Sequence, residues 1–361
     1  MEFESITEPK RKLASIQLVT EVIEHPNADA LELATVLGWQ IVTRIGEAKV
    51  GDKIIYCEID GLLPGDAEWL PPAVRGRVEK QKDQTWYRIK TIKLRKELSQ
   101  GLIIPMVSCI EDMKKYDIGT NVTDELQIKK FEIPTDFDGE INGIEFPSHF
   151  LPKTEELRIQ SEPNLFKTIQ DQPYYITVKM DGTSGTFLID PTNGYENNTN
   201  LLCCSRNLVR PKPDIREGMN WKLMDNKYRY WKIAMRYNLE SKINDNKYLA
   251  IQGEICGPGI QKNPLNLTQL DMYVFNIVDI RDKKSLPYDK LVTTCIKLGL
   301  KMVPLEEVGV SFKCDNIKTL LKQAEGKYKN TKNQREGIVI RSQNQDISFK
   351  AISNVFLLKQ K

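Results

Sequence analysis

Between Ala14 and Pro105 the chain alternates short apolar runs with turn residues: Ile16–Val19, Leu31–Val36, Trp39–Val42, Lys53–Cys57 and Trp86–Ile92. Five β-rich segments at this spacing predict a small barrel of OB type. Gly38, Gly46 with Gly51-Asp52, and Asp60-Gly61 supply the turns, because glycine accepts the positive φ that tight turns require. From Glu111 to Phe150 the pattern dissolves into Gly119, Asp136-Phe137-Asp138-Gly139 and Asn142-Gly143 among short apolar groups, as expected of a connector. Beyond Leu151 β-rich runs return, joined by two stretches of helical period. Leu223–Lys242 carries Leu223, Tyr230, Ile233, Ala234 and Tyr237; Asp289–Leu300 sets Leu291, Val292, Cys295 and Leu298 on one face behind Pro287, a residue suited to a helix entry. The expectation is an α+β chain, with an OB barrel at 1–120, a connector at 121–150 and a second domain of antiparallel sheets with flanking helices at 151–361.

Composition narrows the function. The chain has 361 residues, enough for two ordinary domains, and no apolar run near the ~20 residues of a membrane-spanning helix. Lys plus Arg number 52 and Asp plus Glu 49, a net charge of +3, so a polyanion site has to come from local clustering. The seven cysteines, Cys57, Cys109, Cys203, Cys204, Cys256, Cys295 and Cys314, include no CxxC spacing, which disfavours a structural zinc site. Their odd number, and an acidic rather than basic-then-apolar start, predict a cytoplasmic or nuclear protein that is not secreted. Only His25 and His149 are available as imidazole bases, so lysine and carboxylate chemistry lead.

One lysine stands out. Tyr174–Lys179 reads as an apolar strand that ends on Lys179 and runs into Met180-Asp181-Gly182. An amine held there is expected to lose part of its hydration, which favours the neutral nucleophile, and Asp181 is placed to hold a divalent cation through water. A surface lysine before a β-turn would look the same. The company it keeps arrives in order down the chain: Arg206 after a β-like run, suited to phosphate or ribose; Glu254 between Gly253 and Gly257; Phe275 in an apolar run, offering a face to a base; Glu336 at a strand start; and Lys350. Taken singly, each has a plainer account as a core aromatic, a solvated strand end or a surface charge. In the amino-terminal domain Trp86-Tyr87-Arg88, Lys90, Lys93 and Arg95-Lys96 mix aromatic and basic residues, as either a solvated strand or a contact surface would.

Lys179-Met180-Asp181-Gly182, Ser205-Arg206-Asn207, Gly253-Glu254-Ile255-Cys256-Gly257, Val274-Phe275-Asn276-Ile277, Glu336-Gly337-Ile338-Val339 and Phe349-Lys350 resemble, in order, motifs I, Ia, III, IIIa, IV and V of the covalent nucleotidyltransferases, the superfamily of ATP-dependent ligases and messenger RNA capping enzymes. Within it the chain looks most like the Naegleria-type RNA ligases, which carry an amino-terminal OB domain. His25–Asp29, Gly38-Trp39-Gln40, Val50-Gly51-Asp52 and Ser99–Leu102 resemble that leading domain. Two positions depart from the pattern. Ser348 and Ile352 flank Lys350 where a second lysine is usual, and Asn276 stands where aspartate is common. About eleven residues follow Lys350, too few for a carboxy-terminal OB domain.

The resemblance implies an ATP-dependent RNA ligase that seals 3′-OH and 5′-phosphate RNA ends through a lysyl-AMP intermediate on Lys179, acting as a monomer. Its cofactors would be ATP and Mg2+ or Mn2+, with Asp181, Glu254 and Glu336 toward the metal. Arg158, Arg206, Glu254, Phe275 and Lys350 would bind the nucleotide, Phe275 by stacking on adenine, and Arg158 would contact nucleotide or the RNA end. Arg88, Lys93 and Arg95 are expected to touch RNA backbone or triphosphate. The rival readings are a GTP-dependent capping guanylyltransferase and a catalytically silent RNA-binding protein of the same fold.

Overall fold

The computed structural model describes residues 11–81, 84–106, 115–131, 144–191, 201–214 and 220–359. Cys109 and the turns at Asp136–Gly139 and Asn142-Gly143 lie outside the described residues. The chain divides into two compact units, one of 10–134 with 158–164 and 357–361, the other of 1–9, 135–157 and 165–356.

The first unit is built on a five-stranded antiparallel sheet in the order Leu102–Pro105, Lys53–Cys57, Ala14–Glu24, Leu31–Val36, Trp39–Arg44. Its longest strand shifts register between Val19 and Glu21, letting one strand pair with Lys53–Cys57 at one end and with Leu31–Val36 at the other, as a curled OB sheet requires. A second sheet follows the order Lys129–Lys130, Gly61–Pro64, Gln84–Arg88, Glu79–Gln81. Trp39, Tyr56, Ile16, Ile55 and Leu63 are fully buried. The run expected as one strand from Trp86 to Ile92 ends at Arg88; Ile89 extends the ladder by one more residue, donating to the Gly61 carbonyl oxygen and accepting from the Asp60 N–H, before the pairing stops. Ile92–Leu94 then pairs with Glu97–Ser99 as a separate hairpin, whose two turn residues, Arg95 and Lys96, have φ of 47° and 79°.

The second unit holds two antiparallel sheets. One carries, in order, Ser348–Ile352, Gly337–Ser342, Tyr174–Lys179 and Leu305–Gly309; the other runs Leu201–Cys204, Thr183–Ile189, Leu249–Cys256, Asp271–Asp279, Lys284–Ser285. Met180-Asp181-Gly182 is the crossing from the first sheet to the second. The helix Tyr288–Leu298 buries Leu291, Cys295 and Leu298 on one face and stops at Gly299, whose φ of 61° is a left-handed cap.

The helix expected over Leu223–Lys242 is instead two helices, Arg229–Tyr237 and Leu239–Asn244, preceded by two 3₁₀ turns. Asn238 adopts a left-handed conformation (φ 49°, ψ 48°) that ends the first helix and opens the second. Tyr230, Ile233 and Ala234 are buried as expected, but Leu223 belongs to a 3₁₀ turn and is 83% exposed. The helical face packs with Trp231, Phe187, Ile251 and Leu291 into the main core of the unit. No helix among the described residues is long and apolar enough to cross a membrane, and the described cysteines are free thiols.

Candidate active site

The strand Tyr174–Lys179 pairs residue for residue with Gly337–Ser342, so Lys179 lies opposite Gly337 and beside Glu336. Lys179 Nζ donates to Glu336 Oε2 at 2.9 Å. On the other sheet Ser184 lies opposite Glu254, and Glu254 Oε1 accepts from the Gly182 backbone N–H at 3.1 Å. That contact explains the glycine: a Cβ at 182 would sit 2.4 Å from the Ile255 carbonyl oxygen and 2.8 Å from Cys256 Sγ. A Cβ at Gly337 would likewise fall 2.1 Å from the Ala351 carbonyl oxygen, in the strand that carries Lys350.

Four of the expected residues therefore share one place, an ammonium among three carboxylates. Burial favours the neutral amine of Lys179, as the sequence suggested, but Glu336, Glu254 and Asp181 outweigh it and hold the pKa above the ordinary lysine value. The desolvation expected from the sequence is present at Lys179, and in the absence of a cation the neighbouring carboxylates set the net direction. The surplus carboxylates respond in the opposite sense. Asp181 is pushed up to about 7 by burial and then by Glu336, against the pull of Lys179. Glu254 is pushed up to about 7 by burial, with Lys179 opposing and the other two carboxylates reinforcing.

Tyr328, which no motif marked, ties the cluster together. Its hydroxyl donates to the Lys179 carbonyl oxygen at 3.1 Å and accepts from the Glu336 N–H at 3.2 Å, bridging the strand that ends on Lys179 and the one that follows Glu336. Phe275 packs half-buried against the cluster of Val178, Met180, Cys256, Val303 and Tyr328, beside the strand that ends on Lys179.

Lys350 lies opposite Val339, which lies opposite Thr177, so it shares a sheet face with Lys179, two residues back along the row. Glu156 lies under the same face, where Arg341 Nη2 donates to it at 2.6 Å, Ser348 Oγ also donates to it, and the charge of Lys350 acts on it. The serine at the first variant position is thus engaged by this carboxylate. Asn276 donates from Nδ2 to Gln252 Oε1 at 2.9 Å, a bond an ionised aspartate could not make. Arg206 pairs with Glu155.

The remaining expected residues belong to the amino-terminal unit. Arg158 Nη2 bonds Asp60 Oδ2 at 2.8 Å. Arg88 is turned inward, 3.5 Å from Asp60 and with its guanidinium 3.4 Å from the centre of the Phe131 ring. Lys93 and Arg95 are exposed on the hairpin. Sequence alone marked Arg88 and Lys93 equally; only the fold separates an internal arginine from exposed cations.

An OB unit joined to a two-sheet unit with a lysine–carboxylate cluster at the sheet crossing is the architecture of a nucleic-acid ligase. The RNA ligase family model matches residues 172–355 and a PHA02142 OB-fold domain model matches 13–106. The chain belongs to the RNA ligase family. Among solved structures it is similar to Naegleria gruberi RNA ligase, with 31% identity and a TM-score of 0.85 over 97% of this chain. This holds for an apo variant covered to 98% of its length and for variants with ATP and Mn and with AMP and Mn, each covered to 99%. A comparison with curated protein sequences finds no match.

Proposed function

We propose that the protein is an ATP-dependent RNA ligase that joins a 3′-OH end to a 5′-phosphate end through AMP carried on Lys179. The observation that supports it most is the position of Lys179 Nζ, 2.9 Å from Glu336 and among Asp181 and Glu254 at the crossing of two sheets. The solved relatives that carry ATP or AMP with Mn point the same way.

In the first step Lys179, having given up a proton, attacks the α-phosphorus; an N–P bond forms, the bond to the bridging oxygen breaks and pyrophosphate leaves. Glu336 Oε2 is the acceptor within reach of that proton. Next, an oxygen of the RNA 5′-phosphate displaces the lysine and takes over AMP. Last, the 3′-hydroxyl attacks that 5′-phosphate, AMP departs and the phosphodiester closes. Each step is a displacement at phosphorus, in which the protein positions groups and neutralises charge. Phe275 would stack on adenine, and Lys350 and Arg206 would meet phosphate or sugar. The resemblance supports RNA contacts for Arg158 and for the exposed Lys93 and Arg95.

Glu336, Glu254 and Asp181 all act electrostatically on Lys179, but among the described residues no three Asp, Glu, His or Cys side chains converge closely enough to hold a metal ion by themselves. Mg2+ or Mn2+ would therefore take part of its oxygen shell from water and nucleotide phosphate. Asp181, Glu254 and Glu336 are the residues to hold it, and when bound it would polarise the phosphate and offset the developing charge. Incubation with α-labelled ATP and Mn2+ should label the protein, and Lys179→Ala should remove the label without loss of fold by circular dichroism. A Lys179→Ala protein that is still labelled would refute the assignment.

A further inference from the structure

The charge of this chain is unevenly placed. Among the described residues of 206–237 there are eight Lys or Arg against two Asp or Glu, in a chain whose total is only +3, so the rest is net acidic. The same stretch holds Trp221, Tyr228, Tyr230, Trp231 and Tyr237, and the cations lie beside these rings. Lys212 is 5.5 Å from the Trp231 ring centre, Lys222 is 5.8 Å from that of Trp221, Lys227 is 5.0 Å from that of Tyr228, and Arg210 is 5.4 Å from that of Tyr230.

Several cations in the segment already serve the fold. Arg236 faces Asp271 at 3.6 Å, Lys232 bonds the Met224 carbonyl oxygen and Asn226, and Arg206 pairs with Glu155. Lys212, Lys222 and Lys227 are different. All three are exposed, and among the described residues none makes an ion pair.

Two contacts join the segment to the strands of the active site. The Tyr230 and Thr183 hydroxyls are 3.2 Å apart, with Thr183 two residues beyond Asp181. Asn226 Nδ2 donates to the Pro258 carbonyl oxygen at 3.4 Å, just past the strand that carries Glu254. Building on the ligase reading, we infer that residues 206–214 and 220–237 form a docking surface for the sugar–phosphate backbone of the RNA strand being joined, with Lys212, Lys222 and Lys227 as its phosphate contacts. Charge spread along a segment suits a polymer of phosphates rather than one nucleotide, while the rings beside the cations pack into the core and hold the lysine stems rather than meeting bases.

The test is the salt dependence of binding to a fluorescent single-stranded RNA, measured on the full chain. Replacing Lys212, Lys222 and Lys227 together by Ala should lower the slope of log affinity against log salt by about two, since each phosphate contact to a single strand contributes ~0.7. The same charge change at the exposed Lys290, Lys297 and Lys318 should leave it alone. An unchanged slope in the first triple variant, an equal drop in both, or equal competition by polyglutamate would overturn the inference. A wild-type chain that takes no label from ATP but shows the patch-specific slope would refute the ligase reading and leave the docking surface standing.

Discussion

At the scale of single residues, the site depends on groups that no motif announces. Tyr328 is 4% exposed and its hydroxyl serves the main chain of both Lys179 and Glu336. Tyr328→Phe would leave a part-buried carbonyl and a part-buried N–H without that partner, at a cost of about 1 kcal/mol. The expected outcome is lower stability in urea titration and, on the proposed function, a slower rate of protein–AMP formation at saturating ATP, because Lys179 and its partner Glu336 lose their common tether. Gly182 is legible from sequence as a turn glycine, but its reason is different: Glu254, Ile255 and Cys256 approach too closely for a side chain. Gly182→Ala should reduce adduct formation by at least tenfold while leaving most of the helical circular dichroism signal, since the shift is forced on Asp181 and Glu254 rather than on the core. The Lys179 amine shows the limit of single-residue reasoning. Burial alone argues for a neutral amine, and Asp181 two residues on, with Glu254 and Glu336 from two distant strands, reverses it.

Elements were most legible where local signals agreed. Tyr288–Leu298 has proline at its entry, a spaced apolar face and glycine at its exit, and it forms within two residues of the expected limits. The stretch around Arg229–Asn244 has the apolar spacing of one helix, yet Asn238 divides it, because asparagine tolerates the left-handed conformation at modest cost. Asn238→Ala should therefore destabilise the protein by roughly 1 kcal/mol, and Asn238→Gly should not; equal urea midpoints for the two variants would remove this explanation. The short strands Gly61–Pro64 and Leu102–Pro105 carry too few residues for an alternating pattern to show, and each is secured by pairing with a distant strand.

At the scale of the whole molecule, closure of the larger unit brings together residues far apart in sequence. Glu156 accepts hydrogen bonds from Arg341, 185 residues away, and from Ser348, 192 residues away. Burial by itself would raise the Glu156 pKa, but the charge of Arg341, the two hydrogen bonds and the charge of Lys350 outweigh it and set the pKa below the ordinary carboxylate value. A carboxylate with a lowered folded-state pKa adds stability above its unfolded pKa of about 4.3 and loses it as the pH falls through the folded value. Glu156→Gln should thus be less stable than the parent at pH 7, and the two should converge as the pH drops below about 4. A stability difference that is constant with pH would count against the pair.

The sequence by itself determined the order of the motifs. Lys179, Glu254, Phe275, Glu336 and Lys350 are recognisable because each occupies a short segment whose neighbours, glycine or apolar strand residues, are constrained by what lies next to them in the chain. The barrel strands at Leu31–Val36 and Lys53–Cys57 were legible for the same local reason. Only the tertiary structure decided which charges face one another. It turned Arg88 inward onto Asp60, put Tyr328 between two strands and surrounded one amine with three carboxylates. Electrostatic energy depends on separation in space, and strand pairing across more than a hundred residues sets that separation without leaving a local trace.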